Sequence, residues 1–210
     1  MRRLPVYLLV DVSGSMAGEP IEAVKNGIQS LVSSLRQDPQ ALENAFISVI
    51  TFSDSFQQAV PLTDLPQFQM PQFSAYGGTA LGGALKFLKD CADKEILKTT
   101  PEMKGDWKPL VFILTDGQSG DVDSGVVEFQ KRKWGIVVAC AAGSGANPDE
   151  LKKITECVIQ LDVADSASFK SFFKWVSSSI SVSSKSVGTG GKEVQGLDQL
   201  PPPPAEIIVV

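Results

Sequence analysis

The chain has 210 residues, of which 43% are hydrophobic and 20% are charged, and this composition is typical of one globular domain with a sizeable core. Its formal net charge of −5 argues against a general surface for nucleic acid or anionic membranes. The sequence contains no histidine, which excludes Ser/His/Asp and Cys/His catalysis as well as imidazole-based zinc or iron sites.

Strand-like and helical patterns alternate along the chain. Branched and aromatic runs predict strands at residues 6–12, 45–52, 109–115, 135–141 and 158–163. Apolar residues at helical spacing predict helices that begin near Pro20, Leu81, Asp121, Asn147 and Asp165, the last three positions as N-caps. The hairpin-like step from 45–52 to 56–62 predicts a short antiparallel edge strand. The alternation predicts an α/β fold, a doubly wound, mostly parallel sheet with helices on both faces.

The cysteines and the N-terminal segment bear on the cellular compartment. Cys91, Cys140 and Cys157 lie in apolar or helical stretches and lack the close spacing of a metal site or disulfide framework. We interpret them as small buried residues of a cytoplasmic protein. The apolar run before Asp11 is too short for a signal peptide, and no stretch reaches the ~20 apolar residues that a membrane span requires.

The C-terminal part is rich in Ser, Gly and Pro. We expect a folded domain over residues 1–183 and a flexible tail over residues 184–210, because this composition buries little surface. The tail nevertheless contains four consecutive prolines, Pro201 to Pro204, and then an apolar strand-former, Ile207 to Val210. An ordinary disordered terminus and docking on a partner, or on the domain's own sheet edge, therefore both stay open.

Three loops with acidic or hydroxyl side chains are expected at one edge of this sheet. In "VYLLVDVSGSM" the residues Asp11, Ser13 and Ser15 alternate, so in an extended segment they point the same way. Thr79 ends a "GGT" run at the entry to a helix, and Asp116 follows the strand "LVFILT". Loops at the carboxyl ends of parallel strands meet in the crevice where ligands bind. The threonine before Asp116 is interpreted only as the last residue of its strand.

The chemistry of these side chains indicates a metal ion. Two carboxylates and three hydroxyls suit a hard cation, Mg²⁺ or Mn²⁺, and not zinc or copper. With at most two anionic ligands the ion stays incompletely neutralised, and an open coordination position attracts an outside carboxylate. We find no positioned base, activated nucleophile or phosphate cradle beside these loops, so we expect binding without catalysis. A turn and helix-entry network without metal is the simpler alternative.

The three motifs together resemble a known site. D-x-S-x-S followed by Met, then G-G-T, then T-D-G resemble the metal-ion-dependent adhesion site (MIDAS) of von Willebrand factor A domains, over about Leu4 to Ser183. The resemblance implies five parallel strands and one antiparallel edge strand, a six-stranded sheet. It also implies the metal ligands, some direct and some through water: Asp11, Ser13, Ser15, Thr79 and Asp116.

A narrower resemblance concerns the N-terminal stretch "YLLVDVSGSMAGEPIEAVKNGI", which is similar to the bacterial TerY proteins of tellurite-resistance and stress gene clusters. That resemblance implies partnership with a protein kinase and a protein phosphatase. Several TerY relatives carry cysteine-rich segments that this chain lacks. We therefore predict a non-enzymatic stress-response module, monomeric alone, whose Mg²⁺ or Mn²⁺ receives a Glu or Asp from a protein partner.

Two other functions stay open. Asp11 at the tip of a first strand beside Mg²⁺ is also a phosphatase arrangement, so a metal-dependent phosphoester hydrolase or phosphotransferase is the alternative. Such enzymes normally place a second acid two residues after the nucleophile, where this chain has Ser13. The third possibility is a scaffold whose C-terminal tail, and not its metal, makes the contact.

Overall fold

The computed structural model describes residues 2–194, 196–205 and 207–210, so Met1, Gln195 and Glu206 of the predicted domain and tail lie outside the described residues. The strands are β1 (Leu4–Asp11), β2 (Ala45–Phe52), β3 (Phe56–Asp64), β4 (Leu110–Thr115), β5 (Val137–Ala142), β6 (Val158–Leu161) and β7 (Ile208–Val209). The helices are α1 (Glu19–Leu35), α2 (Pro39–Asn44), α3 (Leu81–Glu95), α4 (Val122–Phe129), α5 (Pro148–Lys152) and α6 (Ser166–Gly190). Short 3₁₀ turns occupy Gly14–Met16 and Leu197–Gln199.

The strands form one mixed sheet. Its order is β3-β2-β1-β4-β5-β6-β7, with parallel pairing from β2 through β6 and antiparallel pairing of β3 and β7 at the two edges. The predicted doubly wound α/β fold and the antiparallel edge strand β3 are confirmed. The expected six strands are corrected to seven within the described residues, because β7 adds a second antiparallel edge.

Both faces of the sheet are covered, which explains why its strands are apolar throughout. Alternate residues of β1 separate the two cores: Leu8 and Val10 pack with residues of α1 and α6, whereas Tyr7 and Leu9 pack with residues of α3 and α4. This arrangement leaves the carboxyl ends of β1 and β4 side by side at one edge, since Val10 is in register with Leu114.

Most helix starts follow their predicted caps. The side chain of Asn147 accepts a hydrogen bond from the backbone N–H of Asp149, and Asp165 accepts one from Ser168. Helix α2 was not predicted, because its six residues are too few to show an apolar stripe. Its local signal is the Asp38-Pro39 pair, an N-cap followed by proline at the first helical position.

The C-terminal segment differs from the expected flexible tail. Helix α6 continues to Gly190, so the expected boundary at residue 183 falls inside it. Beyond the helix, the side chains of Val194, Leu200 and Ile207 are buried, and Trp175 Nε1 donates a 2.8 Å hydrogen bond to the Pro201 carbonyl. The reason is the otherwise open edge of β6, which β7 pairs with and covers. Docking on the domain's own sheet edge is thus the alternative that the structure shows.

No helix within the described residues combines the length and hydropathy needed to cross a membrane.

Candidate metal centre

The structure brings the three predicted loops together at the carboxyl ends of β1 and β4. The backbone N–H of Gly14 donates to the Gly77 carbonyl at 2.9 Å, and that of Tyr76 donates to the Val12 carbonyl at 2.8 Å. These two bonds tie the "GGT" loop to the loop after β1. A Cβ built on Gly117 would lie 3.0 Å from Thr79 Oγ1, so Thr79 lies against the loop that follows Asp116.

Four of the five predicted ligands are linked through their side chains or through a neighbouring residue. Ser13 Oγ lies 3.0 Å from Ser15 Oγ, and Ser15 Oγ donates a 2.8 Å hydrogen bond to Asp116 Oδ1. Asp11 accepts from the backbone N–H of Ser13 at 2.7 Å through Oδ1 and from the Thr115 hydroxyl at 2.6 Å through Oδ2. The predicted side chains therefore share one site.

The two carboxylates of this site differ in exposure but both lack a positive partner. Asp11 is fully buried and Asp116 is partly buried, and neither forms an ion pair within the described ranges. Burial raises the pKa of Asp11, hydrogen bonds from Ser13 and Thr115 oppose the rise, and the nearby charge of Asp116 adds to it. Burial likewise raises the pKa of Asp116 against the hydrogen bond from Ser15. A cation placed between these groups would relieve that cost of burying charge.

The donor set fits a hard divalent ion. Neighbouring ligands of an octahedral Mg²⁺ at ~2.1 Å lie about 3.0 Å apart. The Ser13–Ser15 oxygen separation of 3.0 Å and the Ser15–Asp116 separation of 2.8 Å match that spacing. No cluster of three or more His, Cys, Asp or Glu side chains occurs in the part of the chain that the structure describes. The exposed Ser15 opens the site to solvent.

Two glycines of the "GGT" loop lie directly against a carboxylate that sequence reasoning did not single out. A Cβ on Gly77 or on Gly78 would overlap the side-chain oxygens of Asp54, and Gly77 also has a positive φ of 72°. Asp54 comes two residues after β2, at the same sheet edge as the metal loops. Its position after a strand, in the "SDS" turn, is the signal that would have identified it.

A second hydrogen-bond network joins the start of α3, next to Thr79, to the loop after Asp116. It corrects the prediction that Asp121 caps α4. Asp121 stands at the N-cap position of α4 but makes no side-chain bond to that helix. Its carboxylate instead accepts from the backbone N–H groups of Gly82 and Gly83, both at 2.8 Å, and so caps α3. Ser119 Oγ donates to Asp121 and accepts from the N–H of Leu81 at 2.9 Å.

Asp121 caps α3 instead of α4 because the two helices lie close together. A Cβ on Gly125 would overlap the backbone of Gly82, so only glycine lets the two helices pack at this separation. Helix α3 begins directly after Thr79 and Ala80, and Ser119 follows Asp116 by three residues. The Asp121 network therefore fixes the Thr79 side of the site relative to the Asp116 side.

Comparison with known proteins identifies the family. A model of the von Willebrand factor type A domain matches residues 6–175. The chain belongs to the von Willebrand factor type A family. This vWA domain is 29% identical over 147 residues to a von Willebrand factor A domain-containing protein of Dictyostelium discoideum, with 67% of this chain and 15% of that protein covered. It is also 29% identical over 129 residues to an uncharacterized Synechocystis protein, with 58% and 28% covered. The chain thus spans under a third of the length of these relatives.

Solved structures share the fold of this vWA domain at low identity. Proximal thread matrix protein 1 of the mussel byssus, in a structure described as having a zinc-occupied MIDAS motif, has a TM-score of 0.58 and 22% identity, with 84% of this chain and 46% of that chain covered. The pilus adhesin SpaC of Lactobacillus rhamnosus has a TM-score of 0.68 and 14% identity, with 86% and 30% covered. At these identities the likeness shows the fold alone.

Proposed function

We propose that this vWA domain is a non-enzymatic, metal-dependent protein interaction module. A divalent ion binds at Asp11, Ser13, Ser15, Thr79 and Asp116, and a Glu or Asp side chain of a partner protein completes its coordination. The observation that carries the proposal is the row of oxygens from Ser13 through Ser15 to Asp116, spaced at 3.0 and 2.8 Å beside the buried Asp11 carboxylate, which forms no ion pair with any described residue.

The residues around the two carboxylates have different tasks in this proposal. Thr115 and the Ser13 N–H fix the orientation of the Asp11 carboxylate, since each holds one of its two oxygens. Ser15 and Asp116 present oxygens toward solvent, where a partner approaches. The bound ion supplies the positive charge that balances the two carboxylates and attracts a third.

We propose Mg²⁺ or Mn²⁺ as the resident ion. The donor set consists only of carboxylate and hydroxyl oxygens, which these hard cations prefer. The zinc described in the MIDAS motif of the mussel byssus protein indicates that sites of this kind also accept other divalent ions. Competition between Mg²⁺, Mn²⁺ and Zn²⁺ for the purified protein measures the preference.

The partner-binding claim is tested with a display library of random peptides on the immobilised protein in Mg²⁺. Elution with EDTA should enrich peptides that contain Asp or Glu, and Glu→Gln or Asp→Asn changes in those peptides should abolish their binding. Asp116→Ala should abolish it as well, whereas Asp90→Ala, an exposed acid on α3, serves as the matched control. Binding that survives both EDTA and Asp116→Ala would contradict the proposal.

We further propose that the biological partners are a protein kinase and a protein phosphatase of a bacterial tellurite-resistance or stress-response system in the cytoplasm. The support is the similarity of residues 7–28 to TerY proteins. Where a kinase or phosphatase gene accompanies this one, the purified products should bind in Mg²⁺ and dissociate in EDTA. An interaction of equal strength in Mg²⁺ and in EDTA would show that these partners do not bind at the metal site.

The alternative of a metal-dependent phosphoester hydrolase or phosphotransferase has a direct test. Such an enzyme needs a second acid where Ser13 stands, and Ser13 is buried with its hydroxyl turned to Ser15. Incubation with p-nitrophenyl phosphate and Mg²⁺ should give no turnover above that of Asp11→Asn. Turnover that disappears in this variant would replace the binding proposal with an enzymatic one.

A further inference from the structure

A groove runs along the contact between α1 and α6, on the side of the domain that carries the larger core. It has a volume of about 420 Å³, and its floor is formed by buried Ala23, Gly27, Leu31 and Phe173. A Cβ on Gly27 would overlap the Phe173 ring, so the ring lies directly over this glycine. The absence of a side chain at Gly27 thus lets the Phe173 ring pack against α1, and the ring closes the floor of the groove with apolar atoms.

The rim of the groove is basic and polar. Lys170 and Lys174 line it and are exposed, and the ammonium group of neither forms an ion pair or a hydrogen bond within residues 2–194, 196–205 and 207–210. No acidic residue lines this groove in the described chain, although the whole chain has a net charge of −5. Unpaired cations beside apolar surface favour an occupant with acidic groups flanking an apolar face.

Ser177 provides a further polar group for an occupant. It is only 7% exposed, it lines the groove, and its hydroxyl has no hydrogen-bond partner in the part of the chain that the structure describes. Neighbouring serines on α6 behave differently, since Ser178 and Ser179 donate to the carbonyls of Lys174 and Trp175. The Ser177 hydroxyl is therefore free to form a hydrogen bond with a ligand in the groove.

The groove is long enough for a helix. A second cavity of about 820 Å³ shares Lys174 and Ser177 with the first and extends along α6 to the Asp38–Lys185 ion pair. At the other end lies Ser166, which donates to the carboxylate of Glu19. Residues 166–185 of α6 span about 28 Å at a rise of ~1.5 Å per residue.

We propose that this groove binds an acidic amphipathic helix of a partner protein. Its walls are the sides of two helices, whose backbone groups already bond within their own helices. An extended segment would lay unpaired backbone N–H and C=O groups on an apolar floor, whereas a helix satisfies its own. The apolar face of the partner helix packs on Phe173 and Leu31, and its acidic flank meets Lys170 and Lys174. This contact is independent of the metal site.

The probe is a fluorescent, helix-forming peptide of about 18 residues with leucines on one face and glutamates along both flanks. Its anisotropy is followed during titration with the full chain in EDTA, so the result does not depend on the metal-site proposal. We expect saturable binding, and at least about tenfold weaker binding of the same peptide with lysine in place of each glutamate.

The matched variants locate the contact. Lys170→Glu with Lys174→Glu should weaken binding at least about tenfold, and Ser30→Trp, which fills the groove from α1, should abolish it. Lys94→Glu with Lys98→Glu, two exposed lysines at the C-terminal end of α3 and just beyond it, is the control and should leave binding unchanged. Circular dichroism verifies that each variant is folded.

Three results would overturn the proposal. They are no saturable binding of the glutamate peptide, equal binding of the lysine peptide, and equal binding by the Lys170/Lys174 double variant. Concentration-dependent dimerisation that Ser30→Trp abolishes would assign the groove to a second copy of the chain instead.

Discussion

The hydroxyl of Thr115 donates a 2.6 Å hydrogen bond to the buried carboxylate of Asp11 and thereby joins the ends of adjacent strands β1 and β4. Thr115 is itself buried. Among the described residues, the Thr115 side chain forms no hydrogen bond to the side-chain oxygens of Ser13, Ser15 or Asp116. Its role is to orient a metal ligand.

Thr115→Val should therefore weaken metal binding while keeping the fold. The variant has nearly the same shape but leaves Asp11 Oδ2 without its donor, and loss of such an orienting partner typically costs about 10–100-fold in metal affinity. Isothermal titration with Mn²⁺ measures the change. Thr63→Val on β3, which loses only an exposed local hydrogen bond, is the control. An affinity equal to that of the natural protein would remove Thr115 from the site.

Asp121→Ala should destabilise the domain by about 1–3 kcal/mol, because it leaves the N–H groups of Gly82 and Gly83 and the Ser119 hydroxyl without their acceptor. Urea unfolding measures the free energy. Asp123→Ala, also on α4, removes only a surface ion pair with Lys153 and should cost less than about 1 kcal/mol. Equal costs for the two variants would show that capping of α3 by Asp121 is unimportant.

The contribution of Asp121 should also depend on pH. Burial opposes ionisation, but the hydrogen bonds from Ser119, Gly82 and Gly83 outweigh it and hold the pKa of this carboxyl below the ordinary 3.8. A carboxyl whose pKa is lower in the folded protein than in the unfolded protein stabilises the fold at pH values above the unfolded pKa. That stabilisation is lost as the pH falls through the folded pKa. The difference in unfolding free energy between the natural protein and Asp121→Asn should have its full size at pH 7 and should become smaller below pH 3.8. A difference that grows on acidification would contradict this assignment.

Trp175→Phe should loosen the C-terminal segment. The change removes the indole donor to the Pro201 carbonyl, which is worth about 1 kcal/mol, and keeps most of the buried ring. Trypsin cleavage after the exposed Lys192 should become faster, as followed by mass spectrometry. Tyr7→Phe, which removes a hydroxyl hydrogen bond to Glu95 in the opposite core, is the control. Unchanged cleavage would mean that other contacts hold the segment in place.

Much of the candidate site followed from local sequence. Strand alternation predicted that Asp11, Ser13 and Ser15 lie together, and they do, but β1 ends at Asp11 and the 3₁₀ turn Gly14–Met16, not an extended strand, places Ser15. Asp116 follows an apolar run that is continuous because both sheet faces are covered. The parallel strands were predictable for the same reason, and the edge strand β3 was predictable from the short turn that separates it from β2. These features depend on residues that are near one another in the chain.

The features that were missed depend on contacts between distant segments. The two residues of β7 form a strand only because β6 leaves an open edge, and residue spacing does not reveal which segment covers that edge. Asp121 has the sequence position of a cap for α4, yet the absence of side chains at Gly82 and Gly125 brings the start of α3 within its reach. Thr115 ends a strand like many threonines, and only its neighbour on β1 gives it a role.

The most direct test of the account is a Mn²⁺ titration of the chelator-treated protein, with free Mn²⁺ followed by electron paramagnetic resonance. We predict one saturable site, displacement of the bound ion by Mg²⁺, and loss of the site in Asp116→Ala with retention in Asp90→Ala. Absence of saturable binding, or equal binding by Asp116→Ala, would contradict the claim that these oxygens hold a metal ion.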